Sequence, residues 1–180
     1  METKLFGDKK LTISPLSKKD SKFAKEFLVF VNSLIEEEAM ILMDKKMTIK
    51  EEREFLKKNI KAEKDKKKIF LIAKDGNKVV GNISIERGMY RRSHMGKFAI
   101  GIANGYRGIG LGKYLMSGII KRAIKEFKPK LEIIQLEVHA NNKVAISLYK
   151  RMGFKRFAKL PKQIQHKGRI DDELIMIKFL

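Results

Sequence analysis

The run Arg107-Gly108-Ile109-Gly110-Leu111-Gly112-Lys113 carries the clearest chemical signal in this sequence. It follows an apolar stretch, Phe98 to Ala103, and opens an amphipathic one, Leu111 to Phe127. A strand that passes through a glycine-rich turn into a helix start suits an anion. Glycine has no Cβ, so its main chain can approach a ligand closely and adopt φ values that other residues avoid. The first-turn N–H groups of a helix have no intrahelical acceptor and carry partial positive charge. Together they can hold a phosphate or diphosphate without a dedicated side chain. Arg107 or Lys113 could add a charge-assisted bond. The plainer alternative is a helix start that needs glycine only for tight packing.

Three phosphate motifs compete for this run. A P-loop requires glycine five residues before its Gly-Lys pair and Ser or Thr after it; here those positions are Arg107 and Tyr114. A dinucleotide fingerprint, Gly-x-Gly-x-x-Gly, fails from Gly108 at Lys113 and from Gly110 at Leu115. What remains is Arg-x-x-Gly-x-Gly, met by Arg107, Gly110 and Gly112. Nucleotide hydrolysis and nicotinamide chemistry are disfavoured accordingly.

A second constellation lies downstream. Asn142 and Tyr149 are seven residues apart, two turns of a helix, with Ala145 and Ile146 between them. A ligand lying along that face could touch both ends. Asn142 equally suits a helix N-cap, and Tyr149 equally suits a core ring with its hydroxyl at the rim. The remaining chemistry is sparse. His94, His139 and His166 show no metal-ligand spacing, Ser93, Ser117 and Ser147 lack a nucleophile-elbow setting, and there is no cysteine. No metal is expected.

With these residues the chain resembles the GNAT superfamily of N-acetyltransferases. The resemblance rests on the Arg107–Gly112 pattern and on the block Leu136 to Phe154, which includes Asn142, Tyr149 and Gly153-Phe154. The segment Gly168 to Met176 is also similar to a C-terminal strand of that family, and the likeness covers Met95 to Leu180 best. It implies acetyl-CoA as co-substrate and an amine as acceptor, the amine attacking the thioester directly in a ternary complex. Cofactor contacts are then expected from Ile100, Gly101 and Ile102 through their main chain, from Arg107, Gly108, Ile109, Gly110, Leu111, Gly112 and Lys113 around the diphosphate, and from Asn142, Ala145 and Tyr149. Tyr149 is the expected general acid for the leaving sulfur, since a phenol is protonated at neutral pH. Many relatives offer a glutamate early in the strand before the glycine turn, but here that region reads Gly96-Lys97-Phe98. Glu86 is the substitute candidate for the base, beside a water chain. Glu37, Glu38 and His94 are candidates to face the acceptor. The alternative is a GNAT fold that binds CoA, RNA or the ribosome without turnover.

These residues need elements to position them. Leu11 to Leu16 reads as a strand, and Asp20 to Met43 as a helix with an apolar stripe through Phe27, Val31 and Leu34. Thr48-Ile49-Lys50-Glu51 is a capping box that starts a second helix. Asp75-Gly76-Asn77 joins two strands, Ile69–Lys74 and Lys78–Arg87, as a hairpin. Then come a strand over Lys97–Ala103, the helix from Leu111, a strand over Ile133–His139, a helix over Asn142–Met152, and strands over Phe154–Leu160 and Glu173–Leu180. Met40, Met43 and Met47 are expected to fill core gaps. This order predicts one α/β domain over residues 1–180: a mixed, mostly antiparallel sheet of about seven strands flanked by about four helices.

Composition adds outer bounds. A chain of 180 residues can bury a normal core, and no apolar run approaches the ~18 residues of a membrane span. Without cysteine or an N-terminal apolar segment, a cytoplasmic protein is expected. The net charge of +20 attracts anions. It leaves open a weak nucleic-acid or ribosome contact, although the dense run Lys61–Lys68 has no interleaved aromatics for base stacking. A homodimer is compatible with the sequence, and a membrane partner is not expected.

Overall fold

The computed structural model describes residues 1–180. Eight strands form one sheet: β1 (Glu2–Phe6), β2 (Lys9–Pro15), β3 (Lys68–Asp75), β4 (Lys78–Arg87), β5 (Met95–Ile102), β6 (Ile133–His139), β7 (Lys155–His166) and β8 (Arg169–Phe179). Their spatial order is β1-β2-β3-β4-β5-β6-β8-β7. Every neighbouring pair is antiparallel except β5 and β6. Four α-helices complete the fold: α1 (Ala24–Glu36), α2 (Ile49–Lys64), α3 (Leu111–Glu126) and α4 (Lys143–Arg151). No helix is long and apolar enough to cross a membrane.

Alternation along the strands places the helices on opposite faces. Gly101 of β5 looks toward Phe30 and Leu34 of α1, while its neighbour Ile102 meets Gly112 of α3. On β3, Phe70 packs edge-on against Phe55 of α2, and Leu71 lies beside Gly118 of α3. So α1 and α2 cover one face, and α3 and α4 the other. Strand β3 can be apolar at nearly every position, Ile69 to Ala73, because both its faces are buried.

The hairpin expected at Asp75-Gly76-Asn77 joins β3 to β4, and the Thr48–Glu51 capping box starts α2. Elsewhere the structure departs from the sequence reading. The sheet has eight strands rather than seven, because Glu2–Phe6 forms an edge strand that is exposed at all but Phe6 and so shows no alternation. Strands β7 and β8 run on to a two-residue turn at Lys167-Gly168, both at positive φ. Pro161 is tolerated inside β7 because β7 is an edge strand with a register shift between Leu160 and Ile164. Helix α1 ends at Glu36, not Met43. There Asn32 brackets the returning chain, accepting from the Met47 N–H at 2.9 Å and donating to the Met47 carbonyl at 3.0 Å. Glu38 takes φ 51°, and Met40 and Met43 are exposed rather than core.

Candidate active site

The single parallel pairing creates the site. Strands β5 and β6 pair only over Met95–Lys97 and Ile133–Gln135. Beyond that point both continue, β5 to Ile102 and β6 to His139, without pairing to each other. The result is a wedge that opens toward the glycine turn. On its β5 side the main chain of Phe98 to Ile102 pairs with β4 and leaves its other edge unpaired, a template for an extended ligand. Ile100, Gly101 and Ile102 lie on this edge, and the Ile102 carbonyl accepts from Arg107 Nε at 2.8 Å.

The glycine turn closes the wide end. Gly108 and Gly110 adopt φ 78° and 89°, and Gly110 is the N-cap of α3 in the left-handed region. Gly112 serves a different need: a Cβ there would lie 3.2 Å from Leu148 and 3.3 Å from Ile102, so its absence lets α3 approach α4 and β5. The first helical bond of α3 is Tyr114 N–H to the Gly110 carbonyl. None of the seven N–H groups from Arg107 to Lys113 has an acceptor in the protein. Seven consecutive free donors at a helix N-terminus form a strong anion cradle. Tyr106 bolts this turn in place from beneath. It is buried, and its hydroxyl donates to Asp75 at the tip of the β3–β4 hairpin at 2.8 Å. Burial and that carboxylate raise its pKa. No motif in the sequence marks Tyr106.

Helix α4 lines the α3 face of the wedge. Asn142 is its N-cap, accepting from the Ala145 N–H at 3.1 Å. Ala145 is half-buried, one turn before Tyr149. Tyr149 packs edge-on against Phe98 of β5 at 5.9 Å between ring centroids, and in a tilted arrangement against Phe154 at 6.1 Å. Burial in this aromatic setting pushes the phenol up to about 12. Its hydroxyl has no hydrogen-bond partner in the protein.

The other face of the wedge carries charge. Lys97 of β5 reaches Glu137 of β6 at 2.8 Å, across the gap the strands leave. Glu173, opposite His139 in the β6–β8 register, is raised in pKa by burial and by Glu137. The sequence marks neither Glu137 nor Glu173 as part of a site, because the three strands that join them are far apart along the chain.

The remaining candidates fall elsewhere. Glu37 is the C-cap of α1, not a helical residue, and is ion-paired with Arg107. That pairing turns Arg107 along the turn and toward α1. Glu38 lies beyond the helix and pairs with Lys167 at 2.6 Å, which lowers its pKa. Glu86 is exposed and pairs with Lys68 at 3.2 Å. His94 sits at the closed end of the wedge, where its carbonyl accepts from Glu132 and Ile133 and fixes the start of β6. From there to Ile102 the strand spans about 25 Å. The structure therefore brings together the glycine turn, β5, Asn142, Ala145 and Tyr149, and leaves His94 and Glu86 apart from them.

Comparison with known proteins places this geometry. No curated protein matches the sequence. Among solved structures, a GNAT-family acetyltransferase from Streptococcus pneumoniae is similar at 27% identity, TM-score 0.80, over 94% of this chain and 99% of that one. A ribosomal-protein-alanine N-acetyltransferase from Brucella melitensis aligns at 22% identity, TM-score 0.78, over 94% and 99%. The yncA protein of Salmonella typhimurium, a putative acetyltransferase solved with its cofactor acetyl-CoA, aligns at 20% identity, TM-score 0.79, over 94% of each chain. The model of the acetyltransferase (GNAT) family matches residues 33–154, which contain the wedge, the glycine turn and Tyr149. The chain belongs to the GNAT family of acetyltransferases, a family that uses acetyl-CoA as co-substrate.

Proposed function

We propose that this protein transfers the acetyl group of acetyl-CoA to an amine by direct attack in a ternary complex. The observation that carries the reading is the row of seven unpartnered N–H groups, Arg107 to Lys113, at the mouth of a wedge whose β5 edge is unpaired. The glycine turn grips the diphosphate, the β5 edge from Phe98 to Ile102 pairs with the pantetheine arm, and the thioester comes to rest between β5, β6 and α4. Holding both reactants in line supplies much of the acceleration.

Tyr149 faces the departing sulfur. A phenol whose pKa is about 12 holds its proton throughout the physiological range. It donates a hydrogen bond first and passes the proton as negative charge grows on a sulfur buried in the same apolar setting, where thiolates are also disfavoured. The amine enters from the α1 face. Glu137 reaches across the wedge on that side and is the favoured acceptor of the amine proton, directly or through water. Both carboxylates are paired with a lysine, but the sequence candidate Glu86 is 60% exposed and lies apart from the wedge, whereas Glu137 is 22% exposed within it. The carboxylates of Glu137 and Glu173 also suit a cationic acceptor. Proteins of this fold include a ribosomal-protein-alanine N-acetyltransferase and a spermidine N-acetyltransferase chimera, so both a protein amine and a polyamine belong in the acceptor panel.

The test is acetyl-CoA calorimetry beside a thiol-release assay over that panel. Binding with amine-dependent release supports the reading. Binding without release on any amine favours a CoA-binding module, and absence of binding removes both.

A further inference from the structure

The ends of three strands bring metal-ligating side chains together at the wide end of the wedge. His139 ends β6, His166 ends β7, and Asp171 lies near the start of β8. One ligand atom from each lies within 4.8 Å of the other two. His139 is only 2% exposed, and, although the Ile41 main-chain carbonyl lies close by, neither of its ring nitrogens makes a hydrogen bond of normal geometry. Buried imidazoles ordinarily find one. Its Nδ1 stands 4.0 Å from Asp171 Oδ2, too far for a hydrogen bond. Its ring meets that of His166 edge-on, with centroids 5.2 Å apart.

The surroundings orient these groups without satisfying His139. Asn141 Nδ2 donates to Asp171 Oδ2 at 3.0 Å. His166 Nε2 lies 3.1 Å from the Glu38 carbonyl; as donor there, it leaves the lone pair on Nδ1 free. A main-chain carbonyl on the far nitrogen is the usual support of a metal-bound histidine. Lys167, the nearest cation in sequence, is paired with the Glu38 carboxylate at 2.6 Å.

We propose that His139, His166 and Asp171 bind one divalent transition ion of the zinc class, which ties the ends of β6, β7 and β8 to the segment after α1. Two imidazoles and one carboxylate suit zinc, whereas calcium and magnesium prefer oxygen. Three protein ligands leave a fourth position for water. A tetrahedral ion with bonds near 2.0–2.1 Å sets its ligand atoms about 3.4 Å apart, so the cluster closes by roughly one ångström. His166 and Asp171 flank the turn at Lys167-Gly168 and supply that movement, while His139 stays in the core. The net charge of +20 opposes any cation, so affinity comes from coordination and not from long-range attraction. The sequence hides the site because its ligands come from three strands with no local spacing.

The experiment uses the untagged full-length chain stripped with a chelator. Zn2+ is titrated by calorimetry, and Co2+ by visible absorption as a report of coordination. One ion per chain, the intense spectrum of four-coordinate Co2+, and a melting temperature that rises with Zn2+ are expected. His166→Gln and Asp171→Asn lie on the hairpin outside the core; each lowers Zn2+ affinity by at least about tenfold, with the metal-free melting temperature close to the parent's. Absence of saturable one-to-one uptake overturns the proposal, as does uptake that both variants leave unchanged. These readouts are independent of acetyl transfer, so the site stands or falls apart from the catalytic reading.

Discussion

Tyr149 is held by Phe98 and Phe154 in a setting that disfavours its phenolate. Replacing it with Phe keeps the packing and removes the donor, so kcat should fall by about 10²-fold or more, while the acetyl-CoA Kd measured by calorimetry changes less than about twofold. Undiminished turnover would remove the acid role. The same burial has a consequence for pH. The folded pKa of about 12 lies above the unfolded value near 10, so the folded state keeps a proton the unfolded state loses between those values. Stability therefore declines as pH rises from 10 toward 12, and no loss of kcat below pH 10 arises from Tyr149. The glycines divide by cause. Gly110→Ala places a Cβ at φ 89°, a conformation costing about 1–2 kcal/mol; it should weaken acetyl-CoA binding about tenfold by disturbing the free N–H row. Much at this scale was legible in the sequence: the glycine turn, the Asn142 cap, and the pairing of Asn142 and Tyr149 on one helix face all follow from local spacing. Tyr106, Glu137 and Glu173 were not, because their roles depend on partners from other strands, Asp75 for the first and Lys97 for the second.

Elements were legible where their signals are local. The α2 capping box and the Asp75-Gly76-Asn77 turn are written in adjacent residues. The end of α1 is not. Glu36 to Met43 are good helix formers, yet the Asn32–Met47 bracket and the ion pairs of Glu37 and Glu38 redirect the chain, a case of tertiary contacts overriding propensity. Helix α2 carries a further consequence that its polar face conceals. Glu52, in its first turn, is 2% exposed, and burial raises its carboxyl pKa to about 7. The unfolded chain ionises near 4.5, so between 4.5 and 7 the folded state binds the extra proton. This group's cost to stability is absent below about pH 4.5, grows as pH rises, and is complete above 7. Glu52→Gln removes the ionisation and keeps the shape. Its melting temperature should exceed that of the parent by a few degrees at pH 8 and match it near pH 5. Equal shifts at both pH values, in parallel melts followed by circular dichroism, would show that Glu52 is charged in the fold and held by partners.

At the scale of the whole molecule the charge of +20 is mostly uncommitted. Only eight basic side chains, Lys46, Lys68, Lys74, Lys97, Arg107, Arg122, Lys159 and Lys167, engage carboxylates, against 41 lysines and arginines in all. The rest form a field that acts on any anion approaching the glycine turn. Field and cradle make separable contributions to binding a polyanionic co-substrate. The cradle consists of neutral N–H groups at contact distance, which salt screens little. The field acts over the Debye length, about 10 Å at 0.1 M and 3 Å at 1 M ionic strength. Raising NaCl from 0.05 to 0.5 M should therefore slow acetyl-CoA association several-fold in stopped-flow measurements, with the dissociation rate nearly constant. At saturating co-substrate, kcat should not follow. If association is insensitive to salt, the surface lysines play no part in capture and the N–H row acts alone. If dissociation carries the salt effect instead, Lys113 or a neighbouring cation is in direct contact with the diphosphate. A basic surface that steers anions to one built site needs no nucleic-acid partner to account for it. The same titration with a short RNA in place of acetyl-CoA then separates the two uses of the charge: binding that vanishes by 0.2 M salt without affecting acetyl transfer is the non-specific attraction expected of any such surface.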